Sequence, residues 1–320
     1  MVDGRPLATI NHQPFRRKNL AQHTVAGRLK PRPPFDFDKS LDFAGSFSPA
    51  MGEQEVSGGS ITKATSFGGQ TVAFTVRSLG TVERPELEYT LVSDKQIGDG
   101  LRSAAEDRIG FYLSIDDDLQ PFYEIASRDE AFTPVLARLY GQHQVKFITP
   151  FETAAWAVLS QRNPMAIARK VKDKVAAEYG GSISLGGVTY RAFPEALAIV
   201  SVPEGELFAI VKNEKRTDYL RAVACAFASA DEDFLRHGSY QEVEAWLRGI
   251  KGIGAWSSAF IMLRGLGHMN WLPVEESRVS SAVSRRYNGG EPLTQGELKR
   301  IAADYGPYVG YWSYYMRVAG

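Results

Sequence analysis

Cysteine is almost absent: Cys225 stands alone in 320 residues. A single thiol excludes an internal disulfide, a cysteine-rich zinc site and a four-cysteine iron–sulfur cluster. Its neighbours, Ala222-Val223-Ala224 and Ala226-Phe227, predict a buried helix face for it. Long apolar runs are missing too. None approaches the ~18 residues that span a bilayer, and no apolar stretch near the N-terminus resembles a secretion signal. A cytoplasmic protein with no membrane partner is therefore expected, nucleoid-associated in a bacterium. Net charge is missing as well, because 37 Lys+Arg balance 37 Asp+Glu. That balance excludes a polybasic nucleic-acid coat. The five histidines form no ligand cluster, and His268 is expected at the surface. There is no metal-hydrolase spacing and no strand–Gly-rich–helix phosphate loop.

What is present is an ordinary globular composition, 44% hydrophobic and 23% charged, on a chain long enough for two or three domains. Residues 1–34 are polar and end in Lys30-Pro31-Arg32-Pro33-Pro34, which predicts a loosely ordered lead-in. Residues 35–145 form an expected sheet-plus-helices domain. Ser60–Thr65 and Thr71–Arg77 alternate apolar and polar residues around a Phe67-Gly68-Gly69-Gln70 turn, a hairpin pattern. Leu87–Val92 is a third strand, so a small antiparallel sheet is expected. From about residue 98 the period becomes helical, and Phe151, Ala154, Ala155, Val158 and Leu159 mark one long helix face. A Gly-rich excursion at 180–187 interrupts an otherwise helical domain over 146–320.

Splitting the charge at 145 gives 21 basic against 18 acidic residues in 146–320, a net +3, and 16 against 19 elsewhere, a net −3. Two basic runs stand out, Arg162 with Arg169–Lys174, and Arg278 with Arg285 and Arg286. Taken alone, each describes a solvated helix face.

The most informative segment is Leu247-Arg248-Gly249-Ile250-Lys251-Gly252-Ile253-Gly254-Ala255-Trp256-Ser257-Ser258, with helical periodicity on both sides. Glycine at 252 and 254 permits positive φ and close backbone approach. Amides of such a turn, together with a following helix N-terminus, suit a phosphate. A lone G-x-G is more often only a tight turn.

The whole string closely resembles the helix-hairpin-helix motif of base-excision DNA glycosylases, most of all the branch typified by 3-methyladenine DNA glycosylase II (AlkA). The likeness extends over about residues 33–320. Pro33–Phe37 resembles the start of that family's N-terminal sheet domain, and Pro150-Phe151-Glu152 through Ser160-Gln161 its "pFE…l..Q" helix. Tyr190–Pro194, Arg264–Gly267 and Tyr305–Trp312 follow in the family's order. The resemblance implies an α+β fold: an antiparallel sheet domain like the TATA-binding-protein repeat, then a mainly α-helical helix-hairpin-helix glycosylase domain.

It also implies roles. Gly252 and Gly254 would present amides to a DNA phosphate, with Ser257 beside them. Carbonyls of Arg248, Ile250 and Ile253 would hold a monovalent cation, Na+ or K+, and no other cofactor is implied. Leu272-Pro273-Val274-Glu275-Glu276 falls where the family carries Pro-x-Asp, so Glu275 matches the catalytic aspartate and Glu276 is the second candidate. Glutamate in place of aspartate is the main departure, because displacing a reacting group by about a bond length costs ~10²-fold. Trp256 stands where some relatives place a Schiff-base lysine, which implies a monofunctional enzyme that leaves an abasic site. Trp256 and Phe260, four apart, would form an aromatic wall for a flipped base. Gln161-Arg162-Asn163-Pro164 matches a loop that probes the minor groove, with Arg162 where AlkA relatives often have an apolar wedge. Arg169 to Lys174 becomes a phosphate-contact candidate. The partner implied is double-stranded DNA carrying damaged, alkylated bases, and a monomer is expected. Two other readings remain open: a non-catalytic DNA or abasic-site binder on the same scaffold, and a glycosylase for deaminated or oxidised bases.

Overall fold

The computed structural model describes residues 22–274 and 276–320. The chain opens with β1 (His23–Leu29), α1 (Phe37–Ser46), a 3₁₀ turn at Ser48–Ala50, β2 (Gln54–Ser57), β3 (Ser60–Phe67), β4 (Gln70–Ser78) and β5 (Leu87–Ser93). These strands form one antiparallel sheet in the order β1-β5-β4-β3-β2. The Gly68-Gly69 turn joins β3 to β4 with φ +55° and +76°, values that suit glycine and match the twist of a tight hairpin. Alternation is clean in β5, where Leu87, Tyr89, Leu91 and Ser93 point inward.

Within the expected lead-in, residues 23–29 are ordered as edge strand β1, paired with β5 from His23–Ser93 to Leu29–Leu87. Its apolar pattern is weak, because it is an edge strand whose side chains are at most half-buried. Gly27 sits where the Tyr89 ring crosses, and a Cβ there would lie 2.2 Å from the Tyr89 hydroxyl. The signal for this strand is therefore held by its partner.

Helices follow: α2 (Asp99–Leu113), α3 (Gln120–Ala126), α4 (Thr133–Leu139), α5 (Pro150–Leu159) and α6 (Met165–Tyr179). The Gly-rich excursion is a second hairpin, β6 (Ser182–Leu185) and β7 (Val188–Arg191), turned at Gly186-Gly187. Ile183 and Tyr190 of this hairpin pack on Ala64 and Ala73 of the main sheet. The remainder is helical: α7 (Ala196–Val200), α8 (Glu204–Val211), α9 (Glu214–Ala228), α10 (Glu232–His237), α11 (Tyr240–Arg248), α12 (Ala255–Ile261) running into a π turn at Met262–Leu266, α13 (Ser277–Tyr287), α14 (Gln295–Ala303) and α15 (Val309–Ala319).

The architecture is α+β, with three principal apolar cores. One lies under the sheet, around Phe74, Tyr89 and Ile109. A second surrounds α5, every residue of which is buried. A third joins Phe122 and Phe132 of the α3–α4 region to Val283, Trp312 and Tyr315. Packing thus crosses residue 145, since α3 and α4 share their core with α13 and α15.

Cys225 is exposed, contrary to the burial its neighbours predict. The inward face of α9 is Thr217, Leu220, Val223 and Ala224. Cys225 is the next residue, turned ~100° from Ala224 and so off that face. Among the described residues no helix is long and apolar enough to cross a membrane.

Candidate active site

α11 and α12 form a helix pair joined by the Gly249–Gly254 turn. Ile250 and Ile253 are buried and anchor the turn in the α5 core, and the Ile253 amide donates to the Ile250 carbonyl at 3.0 Å. The two glycines differ in what they require. Gly252 has φ +98°, and a Cβ there would lie 2.4 Å from Cγ of Tyr219 on α9. Gly254 is extended (φ −95°, ψ −176°) and faces open space as the N-cap of α12. The expectation of a positive-φ requirement therefore applies to Gly252 alone. Gly252→Ala is expected to destabilise the protein by about 1–3 kcal/mol through strain and overpacking. Gly254→Ala should stay within about 0.5 kcal/mol. Urea denaturation of the two variants measures the difference.

The loop after α5 leans on this turn. The Gln161 amide donates to the Gly252 carbonyl at 2.8 Å and to Ser257 Oγ at 3.1 Å. Ser257 is buried, so both side chains face inward rather than outward to a ligand. Arg162 is exposed with φ +47°, and the Asn163 amide donates back to the Leu159 carbonyl. In the basic run behind it, Lys170 and Lys174 are exposed, and Arg169 reaches the Met51 sulfur at 3.2 Å. Lys172 is fully buried and lies 2.6 Å from both Glu152 and Glu53. It is thus unavailable to a phosphate, contrary to the sequence expectation.

Between the sheet part and the helices lies a cleft of about 730 Å³. On one side Trp256 and Phe260 stack, with ring centroids 5.4 Å apart and planes 11° apart. Trp256 is 51% exposed, and the Phe260 edge meets Phe147 at 6.0 Å. Pro273, Glu276 and Arg278, at the entry to α13, also line the cleft. Glu276 is held by Arg317 of α15 at 2.6 Å. Arg264, in the π turn, is buried among the lining residues and stacks on Phe43 and Phe47, each 4.9 Å from its guanidinium carbon. Burial lowers its pKa to about 10. Glu275 lies outside the described residues.

No protein-family model matches the chain. It is 25% identical over 207 residues to a DNA-3-methyladenine glycosylase of Bacillus subtilis, covering 64% of this chain and 68% of that one. It is 23% identical over 155 residues to a DNA-3-methyladenine glycosylase of Saccharomyces cerevisiae, covering 47% of this chain and 50% of the yeast protein. The structure superposes on a 3-methyladenine DNA glycosylase from Archaeoglobus fulgidus with a TM-score of 0.74 at 21% identity, over 91% of this chain and 97% of that one. In sequence and in fold the chain is AlkA-like, similar to the helix-hairpin-helix DNA glycosylases.

On this glycosylase scaffold the structure brings Trp256, Phe260 and Glu276 to one cleft, and sets Gly252, Gly254, Gln161 and Ser257 in an adjoining hairpin-and-loop unit. It also adds residues the sequence reading missed. Phe43, Phe47 and Pro49 come from α1 and the turn after it, and Tyr314 and Arg317 come from α15. Phe43 and Phe47 stack four residues apart, the only local hint, and that spacing reads equally as ordinary core. His268 is half-buried rather than at the surface. Its Nε2 lies 2.9 Å from the Leu235 carbonyl, and burial lowers its pKa. Among the described residues no cluster of His, Cys, Asp or Glu is arranged to hold a metal. Carbonyls of Arg248, Ile250 and Ile253 are a neutral, all-oxygen donor set, which suits a hard monovalent cation. The Ile250 carbonyl already accepts one hydrogen bond and keeps a second lone pair.

Proposed function

We propose that this AlkA-like hydrolase is a monofunctional DNA N-glycosylase that excises damaged, alkylated purines from double-stranded DNA in base-excision repair. The observation that carries this reading is the cleft in which the stacked Trp256–Phe260 pair shares a lining with Pro273 and Glu276. An aromatic face that is half exposed at a cleft mouth suits a base turned out of the helix. The hairpin amides around Gly254, an exposed residue, suit a backbone phosphate beside it. The neutral net charge is compatible with this, because amides bind the phosphate without a basic coat, and a shallow salt dependence is expected.

The chemistry breaks the C1′–N bond. Electrons of that bond leave with the base and neutralise the positive charge that alkylation placed on its ring, so an N-methylpurine departs neutral without taking up a proton. Positive charge develops on the sugar, and water adds at C1′, giving one proton to solvent or to a nearby carboxylate and leaving an abasic site. A carboxylate in the Glu275-Glu276 segment stabilises the developing charge or orients the water. Position 256 is tryptophan, and no lysine lines the cleft among the described residues, which supports hydrolysis over Schiff-base chemistry. A monovalent cation at the three hairpin carbonyls would fix the turn that presents the amides. We further propose that the protein acts as a monomer in the cytoplasm or nucleoid.

The test is a lesion panel in duplex oligonucleotides: N-methylpurines, deaminated bases and oxidised bases. The expected result is release of N-methylpurines, strand breakage only after alkali, and no borohydride-trapped adduct. Trapping would overturn the monofunctional assignment, and release of only oxidised or deaminated bases would overturn the substrate class. No release of any lesion alongside tight binding to abasic DNA would favour the non-catalytic reading, which the glutamate at 275 motivates.

A further inference from the structure

The two segments that face the proposed DNA surface come from distant parts of the chain, and one short helix end holds both. α5 stops at Leu159, and the chain then turns through Arg162, which adopts a left-handed conformation that L side chains disfavour. Such a residue stays in place only if its surroundings hold it. Arg216, in the first turn of α9, provides the hold. Its Nε and Nη2 lie 3.4 and 3.3 Å from the Gln161 carbonyl, and Nη2 lies 3.3 Å from the Arg162 carbonyl. These carbonyls follow the C-terminal end of α5, where a cation is favoured by the helix dipole. From the same residue whose carbonyl Arg216 grips, the Gln161 side chain crosses to the hairpin and donates to Gly252 and Ser257. One helical turn beyond Arg216, Tyr219 fills the space behind Gly252.

Resting on the DNA-glycosylase reading, we infer that Arg216 and Gln161 are positioning residues that clamp the loop after α5 to the hairpin, so that both meet the DNA backbone as one preorganised surface. Neither needs to touch DNA. Arg216 acts through loop carbonyls, and its planar fork reaches two of them at once, which a lysine cannot reproduce. Gln161 acts through the Gly252 carbonyl, next to the turn that presents amides.

The experiment uses the full chain and a duplex carrying a tetrahydrofuran abasic-site analogue. Arg216→Met and Gln161→Met are each expected to weaken binding roughly tenfold at a temperature where both remain fully folded, with the melting temperature lowered by only a few degrees. The double variant should bind little worse than either single, because both break one clamp. Arg216→Lys should recover only part of the loss. Wild-type affinity in both single variants overturns the inference, as does a loss that merely tracks a lower melting temperature. Additive losses with full recovery by Arg216→Lys also overturn it, since they describe a direct phosphate contact. Failure of the wild-type protein to bind the duplex removes the DNA-glycosylase reading itself, an outcome distinct from binding that the variants leave unchanged.

Discussion

Lys172→Met is expected to cost the fold about 3–5 kcal/mol, the usual penalty for removing one partner of a buried ion pair. Lys172 is fully buried, with its ammonium 2.6 Å from Glu152 Oε1, 2.6 Å from Glu53 Oε1 and 3.2 Å from the Pro49 carbonyl. Aromatic faces of Phe147, Trp156 and Phe193 surround it at 5.4, 5.9 and 5.7 Å. Methionine fills the volume but leaves two carboxylates without their shared cation, and only Lys63, 3.3 Å from Glu53, remains. A fall in Tm on the order of 10 °C follows. Adding Glu152→Gln and Glu53→Gln to Lys172→Met should restore much of the loss, because the charges then disappear together. Thermal melts of the single and triple variants provide the check. Equal melting points for Lys172→Met and wild type would contradict the account.

The same group sets an acid dependence. Burial raises the Glu53 carboxyl, but Lys172 and Lys63 more than offset it and lower its pKa from 4.5 to about 2. A depressed folded pKa contributes stability above pH 4.5 that is lost as pH falls from there toward 2. Glu152 has the opposite sign. Burial raises its pKa despite Lys172, so its contribution is complete below the unfolded value and is lost as pH rises through the folded one. In Lys172→Met both carboxyls lose their cation, so both titrate at higher pH, and the acid-sensitive window moves up.

The second large effect belongs to the carboxylate segment. Glu275→Gln is expected to lower the single-turnover excision rate by about 10²–10⁴-fold, the range for losing a charged group that acts in the transition state. Affinity for the abasic-analogue duplex should change little, which separates chemistry from binding. Glu276→Gln should cost less, because Arg317 already neutralises Glu276 at 2.6 Å. Glu275→Asp, which restores the family's residue, should keep activity or raise it. Excision at the wild-type rate by both glutamine variants would show that neither carboxylate takes part. A larger loss in Glu276→Gln would reverse their order.

Features encoded locally were legible in the sequence. The Gly68-Gly69 turn and the alternation around it marked the β3–β4 hairpin, and the Gly252–Gly254 string with Trp256 and Phe260 marked the helix pair and one side of the cleft. What escaped depends on partners far away in the chain. β1 is held by Tyr89, across a glycine that carries no signal of its own. Lys172 looks like part of a solvated face, because nothing near it announces that Glu53 and Glu152 will enclose it. Phe47 and Pro49 reach the cleft from more than a hundred residues before Trp156, a juxtaposition no periodicity contains. Gln161 stands out in the sequence, but only the hairpin's position shows that its amide turns inward.

The shared core of α3, α4 and α15 bears on how the protein is made. Arg138 near the end of α4 donates to the Val318 carbonyl of α15, a contact spanning 180 residues. Until α15 has emerged from the ribosome, Phe122 and Phe132 lack the aromatic residues that cover them. The cleft waits as well, because Tyr314 and Arg317 line it. Closing contacts of such sequence separation is slow, so a nascent chain can complete its sheet and hairpin early yet form this cleft only after α15 has been made.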